Sequence, residues 1–211
     1  MGGLVPLYLA AADPADPGLP WKPFTIPGSN EPVLLLRLEV DPVDGSSTSL
    51  VRFPPGWRRP GPGHYACGEE FVVLGGELTV SGVAYGRGDR GWIAPGATRR
   101  ASASPEGALA LAWFSGVPAW TDGEGAAPAD PSGGRVPLLS VHVPEAGLPL
   151  RTGVGEREAR LYERAPASFG TAVRVLWPEG AGGPRWAAFG PGEPLPAGRR
   201  GRIFVRSGCS I

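Results

Sequence analysis

Between residues 32 and 116, glycine and proline cut the chain into short apolar runs, and this punctuation leaves room for little but β-structure. Residues 33–40 form a buried strand, and Asp44-Gly45-Ser46-Ser47 turns the chain into 48–53, where polar and apolar residues roughly alternate with the period of two of a strand. After a proline-rich loop comes the apolar run 71–74. Gly75-Gly76 is a hairpin signal that returns the chain through 77–80. Residues 83–85, 91–93 and 108–114 bring the count to about seven strands, with no amphipathic helix of useful length among them. Many short strands at this spacing predict an all-β protein, a sandwich or jelly-roll barrel.

The 34 glycines and 26 prolines of this 211-residue chain exceed a quarter of it, a level that can signal disorder. Here they separate alternating segments and read as turns. Twenty basic and 20 acidic residues leave a formal net charge of zero, so no basic surface for nucleic acid or an anionic membrane is expected. Short arginine clusters such as Arg58-Arg59 and Arg99-Arg100 read as solvated faces. Two cysteines, Cys67 and Cys209, make no disulfide framework. The first residues lack a basic segment and contain Pro6, and no apolar run has the length of a membrane span. A cytoplasmic protein is expected.

The plan read from the chain is an arm over 1–31, with Trp21 and Phe24 as its anchors, a barrel over 32–120, a Gly/Pro/Asp-rich linker over 121–135, and a second β segment over 136–211. Strand signals in that last part fall at 138–143, 158–163, 172–177, 185–189 and 202–206. Its wording faintly repeats the first part: 159–165 and 171–180 echo 35–40 and 48–56. Two β segments of this composition also resemble one another by chance. An unfinished second unit and exposed strand edges lead us to expect a homodimer.

Residues 56–76 carry a resemblance. From Gly56, five residues lead to Pro62, then Gly63 and His64, four more to Glu69, and six more to Gly76. This spacing resembles the first motif of the cupins, G-x5-H-x-H-x(3,4)-E-x6-G, with Pro62 and His64 at the histidine positions. The second motif, G-x5-P-x-G-x2-H-x3-N, lies on Gly88 with Gly96 as its second glycine; Ala94 takes the proline position, Arg99 the histidine and Ala103 the asparagine. The wording around 52–57 and 69–80 is similar to a branch that includes the anti-sigma factor ChrR and bacterial ring- or diketone-cleaving dioxygenases. The resemblance implies an RmlC-like jelly-roll barrel over roughly 30–117, followed by a second, incomplete cupin-like segment.

Cupins usually hold Fe, Mn, Ni or Zn through three histidines and a glutamate. The chain has two histidines, His64 and His142, and neither Pro62 nor Arg99 binds a cation. His64 and Glu69 remain as metal-ligand candidates, Cys67 or Tyr65 could substitute for a missing one, and Glu70 falls on the opposite face of the strand. No cofactor is therefore expected, with a divalent metal as the alternative.

His64, Glu69, Arg99 and Tyr65 are the candidate catalytic residues, and Arg52, Trp92 and Trp113 the candidate substrate contacts. An imidazole can exchange protons near neutral pH. Burial in an apolar barrel favours the neutral acid of a glutamate, whereas pairing with Arg99 favours the carboxylate. An arginine can hold a substrate carboxylate or an enolate oxygen. Such a set fits metal-independent acid/base chemistry on a small carbonyl or carboxylate compound, of isomerase, lyase, dehydratase or cyclase type. The alternatives are a metal-dependent dioxygenase and a non-catalytic ligand-binding or regulatory cupin.

Overall fold

The computed structural model describes residues 7–8, 19–128, 134–151, 158–179, 183–196 and 201–207. It contains no helix among these residues, only strands and turns, and thus none that is long and apolar enough to cross a membrane. The chain divides into two compact units, Pro14–Pro137 and a second made of Leu138–Ile211 with Met1–Asp13. Most of the expected N-terminal arm lies outside the described residues.

In the first unit a seven-stranded sheet runs in the order Val136–Pro137, Asp89–Ile93, Glu69–Gly76, Ala108–Phe114, Ser47–Phe53, Val33–Val40, Lys22–Phe24. A four-stranded sheet, Trp57–Arg59, Ser102–Ser104, Leu78–Val80, Val83–Tyr85, completes its main framework. Alternation decides what lies inside. Val51, Phe53, Phe71, Val73, Ala110 and Ala112 from the larger sheet join Trp57, Leu78, Val80 and Tyr85 from the smaller in one apolar core. The strand Glu69–Gly76 separates its two acids as expected, for Glu70 is fully buried on the outward face, where Arg90 Nε donates to its Oε1 at 2.7 Å.

The hairpin expected at Gly75-Gly76 takes a different form. Glu69–Gly76 and Leu78–Val80 follow one another in sequence but belong to different sheets, so these glycines turn a corner of the barrel instead of closing a ladder. Gly76 has φ of 70° and sits so close to Gly107 that an added Cβ would lie 2.1 Å from the Gly107 carbonyl oxygen. Part of the expected linker is also barrel. Trp120–Asp122 pairs with Gly63–Tyr65 and Ala127–Pro128 with Ala97–Thr98, and Val136–Pro137, expected to open the second segment, pairs with Asp89–Ile93. Turn-rich composition hid these segments, because a two- or three-residue strand has too few positions to show a period.

The second unit is a six-stranded antiparallel sheet in the order Leu7–Tyr8, Arg185–Phe189, Val173–Trp177, Ile203–Ser207, Ala159–Tyr162, Leu148–Arg151. Val173, Val175, Ala187, Phe189, Ile203 and Val205 supply its core. The strand expected at 138–143 is a turn segment, although Leu138 and Val143 are buried. Apolar content there reflects burial without a ladder.

The corner yields a direct test. Gly76→Ala is expected to destabilise the protein more than Gly56→Ala, read as the shift of urea unfolding midpoints. Gly56 also has a positive φ, 82°, but an added Cβ there meets open space. Its substitution is expected to cost only the left-handed penalty of about 1–2 kcal/mol.

Candidate functional site

Three strands and one turn bring the polar groups of the barrel together. Along Trp57–Arg59 the first and last residues are buried while Arg58 is exposed, so Arg59 enters the interior on the same face as Trp57. Along Gly63–Tyr65 the alternation carries Tyr65 inward, where it lines the interior cavity. Arg99 follows the short strand Ala97–Thr98, and its backbone is clamped to Gly63 by reciprocal hydrogen bonds of 2.7 and 2.9 Å. This clamp sets the Arg99 side chain beside Tyr65 and Glu69.

The contacts are close and dry. Arg99 Nη2 donates to Glu69 Oε2 at 2.7 Å, with Arg99 1% and Glu69 19% exposed. The Arg99 guanidinium lies 4.6 Å from the centre of the Tyr65 ring, and that of Arg59 lies 3.9 Å from Trp120. Trp120 in turn meets Tyr65 edge to face at 5.1 Å. Glu69 therefore carries one negative charge among two buried guanidiniums, which leaves the cluster one positive charge in excess.

Burial, and secondarily the Glu69 charge, raise the Tyr65 hydroxyl above its ordinary 10.0 against the opposing pull of Arg59 and Arg99. Tyr65 is a phenol and a hydrogen-bond donor at neutral pH. Burial lowers the pKa of Arg59 and is opposed by Tyr65 and Glu69; a guanidinium nevertheless keeps its proton. The Cys67 thiol is pushed up by burial first and Glu69 second, the reverse of what an activated thiolate needs.

A cavity of about 120 Å³ opens beside this cluster. Ser47, Ser49, Val51, Phe53, Phe71, Leu78, Ala110 and Ala112 line it, together with Tyr65 and Glu69, and its exposed wall residues are Phe24, Pro27 and Arg37. A smaller space of about 50 Å³ adjoins it, sharing Tyr65, Glu69, Phe53, Phe71 and Leu78, and adds Arg59, Arg99, Ser102 and Trp57.

Of the residues singled out in the sequence, Glu69, Arg99 and Tyr65 come together. His64 does not. It projects from the other side of the Gly63–Tyr65 strand and lines neither space, and its ring lies by Gly125, where an added Cβ would stand 3.1 Å from His64 Cγ. Arg52, Trp92 and Trp113 are also absent from both walls, because they alternate with the lining residues Val51 and Phe53, Ile93, and Ala112 and Phe114. Arg59, Ser47 and Ser49 were missed. The signal for Arg59 was its place two residues after Trp57, which marks it as sharing the buried face.

Three solved structures are informative neighbours. A candidate dioxygenase from Nostoc punctiforme matches with a TM-score of 0.68 at 16% identity, covering 88% of this chain and 78% of its own. Salicylate 1,2-dioxygenase from Pseudoaminobacter salicylatoxidans matches with 0.51 at 12% identity, over 82% of this chain and 72% of its own. An RmlC-like cupin protein from Ralstonia eutropha covers 49% of this chain and 74% of its own, with 0.41 and 19% identity. The first two of these structures share this chain's all-β fold, the class that the resemblance to the cupins implies. At these identities the likeness concerns the fold alone. No protein-family model and no curated protein matches the chain.

The inward pair of the first cupin motif is thus one residue away from the assignment made on sequence spacing. The motif allows three residues as well as four before the glutamate, and the strand alternation selects three, so that Gly63 and Tyr65 stand at the histidine positions, with six residues instead of five separating Gly56 from Gly63. With Glu69 and Arg99 the four ligand positions hold no side chain, a phenol, a carboxylate and a guanidinium. The metal that the cupin fold implies meets a poor donor set here. Among the described residues no three of His, Cys, Asp and Glu converge, and two buried guanidiniums oppose a divalent cation. The residues present do not fit it.

Glu69→Gln is expected to lower stability by about 3 kcal/mol, since it strands a buried guanidinium. His64→Ala is expected to lower it by less than about 1 kcal/mol; equilibrium denaturation measures both. Since the folded value of Tyr65 exceeds the unfolded one, its contribution to stability is full below pH 10.0 and is lost as pH rises through the higher folded value. Stability measured between pH 9 and about 11 is accordingly expected to fall less steeply in Tyr65→Phe.

Proposed function

We propose that the barrel binds a small organic carbonyl or carboxylate compound and moves protons on it without a metal. The observation that carries this reading is the Glu69–Arg99 pair beside the Tyr65 phenol, where Glu69 and Tyr65 line a mostly apolar cavity and, with Arg99, the smaller space that adjoins it. Glu69 takes a proton from a carbon next to a carbonyl, the C–H electron pair forms a carbon–carbon double bond as the carbonyl π pair moves onto oxygen, and Arg99 and the Tyr65 hydroxyl donate hydrogen bonds to the oxyanion that forms. Return of the proton to another atom, or loss of a leaving group, gives an isomerase, dehydratase, lyase or cyclase outcome. The apolar walls exclude water and so strengthen both the ion pair and the oxyanion contacts.

Two of the neighbours named above are dioxygenases, one a candidate, which favours metal-dependent oxygen chemistry as a second reading. The donor set speaks against it. A single protocol separates the readings. Protein purified without chelator is assayed for Fe, Mn, Ni, Cu and Zn, and a panel of β-diketones and 2-oxo acids is incubated with it in D₂O and followed by NMR. Metals well below one per chain, with exchange at the carbon next to the carbonyl that Glu69→Gln slows at least about 100-fold, are expected. One metal per chain with oxygen consumption would overturn the proposal, as would equal exchange by wild type and Glu69→Gln. Binding of a panel compound without exchange identifies a ligand-binding module instead.

A further inference from the structure

The ligand itself has a chemical class that the walls specify. Arg99 and Trp57 line the smaller space, and three of their buried nitrogens lack a hydrogen-bond partner: Arg99 Nε, Arg99 Nη1 and Trp57 Nε1. Arg99 is 1% and Trp57 2% exposed, so water does not reach these donors as it does at a surface. Burying a donor without an acceptor is costly, and a charged donor more so. All three can only donate. The group that completes them has to accept, and an oxyanion does so while also answering the positive charge of the cluster.

Size and charge narrow the choice. The space beside Arg99 is about 50 Å³, room for a flat carboxylate and little more. Arg59, Arg99 and Glu69 together leave one uncompensated positive charge, which a monoanion cancels and a dianion overshoots. The adjoining cavity is mostly apolar, presenting Val33, Val51, Phe53, Phe71, Leu78 and Ala112, with Ser47 and Ser49 as neutral polar groups and Arg37 exposed at its wall. Its volume of about 120 Å³ is comparable to the engineered apolar cavity of about 150 Å³ that holds benzene. The two spaces meet at Tyr65 and Glu69. A ligand with its charge in one and its carbon body in the other lies across the very residues assigned above to proton transfer.

We propose that this barrel takes an apolar monocarboxylate with a body of about five to seven heavy atoms, its carboxylate against Arg99 and Trp57 and its body against Phe53, Phe71 and Leu78. The proposal rests on the reading of the same cavity as the functional site. It does not depend on the proton transfer, since a saturated acid with no reactive carbon tests it.

Calorimetric titration of the full chain with acetate, butyrate, hexanoate and dodecanoate, alongside hexanamide, hexanol, adipate and inorganic phosphate, provides the test. Affinity is expected to rise about four-fold per methylene from acetate to hexanoate and to fall at dodecanoate. Hexanamide, hexanol, adipate and phosphate are expected to bind at least about ten-fold more weakly than hexanoate. Arg99→Gln is expected to weaken hexanoate by about 30-fold or more, and Leu78→Trp, which fills the carbon-body space and leaves Arg99 in place, to bring hexanoate down to the affinity of acetate. Trp57→Phe removes only the indole N–H and keeps the proposal testable if Arg99→Gln does not fold; it is expected to weaken hexanoate about three- to ten-fold. Phosphate, adipate or hexanol binding as tightly as hexanoate overturns the proposal. So does hexanoate binding that is indifferent to both Leu78→Trp and Trp57→Phe. Loss of Glu69-dependent exchange with hexanoate binding intact overturns the proton-transfer reading alone.

Discussion

A guanidinium buried to 99% is tolerated inside an apolar barrel only if its charge is answered, and in this protein the answer is Glu69. The reciprocal backbone bonds between Arg99 and Gly63 put the cation where the carboxylate can reach it, and the Tyr65 ring lies against its face. The geometry of the interior follows from that pair. Arg59 stacks on Trp120, Tyr65 is kept as a phenol by burial, and the carboxylate lies in the wall of both spaces. Removal of either partner leaves an uncompensated charge in a dry place, so the pair is a structural constraint as well as a chemical one.

The polar cluster occupies the place where the cupin motifs put a metal. A metal supplies a fixed positive charge that attracts oxygen ligands and polarises them. Here fixed guanidiniums supply positive charge, with a geometry set by covalent side chains and backbone bonds, and they offer N–H donors in place of open coordination positions. The fold is shared with dioxygenases that neighbour it in structure, but the chemistry available to these residues is that of hydrogen bonding and proton transfer.

The fold was legible because its signals are local. Strands such as Val33–Val40 and Ala108–Phe114 are long enough to show period two or a continuous apolar run, and the spacing from Glu69 to Gly76 marked the barrel. The short strands Trp120–Asp122 and Ala127–Pro128 were not, since each has too few residues for any period and is held by a partner distant in sequence. At the site, Glu69, Tyr65 and Arg99 were found from motif spacing, but the face of one strand was misjudged. His64 and Tyr65 are neighbours in sequence and opposite in space, and a motif that permits either three or four residues before its glutamate cannot choose between them. The same parity argument removes Arg52, Trp92 and Trp113 from the cavity.

Gly63 and Trp120 bear on how this interior can change. An added Cβ at Gly63 would lie 1.9 Å from the Trp120 indole, so even an alanine there collides with the ring. A side chain at that position therefore requires Trp120 to shift or be replaced, and displacing Trp120 also disturbs the surface on which Arg59 rests. The substitutions that separate this interior from a metal-binding one are not independent steps. Gly63, Trp120 and Arg59 are thus mechanically coupled, and a change at the first is felt at the third through the indole between them.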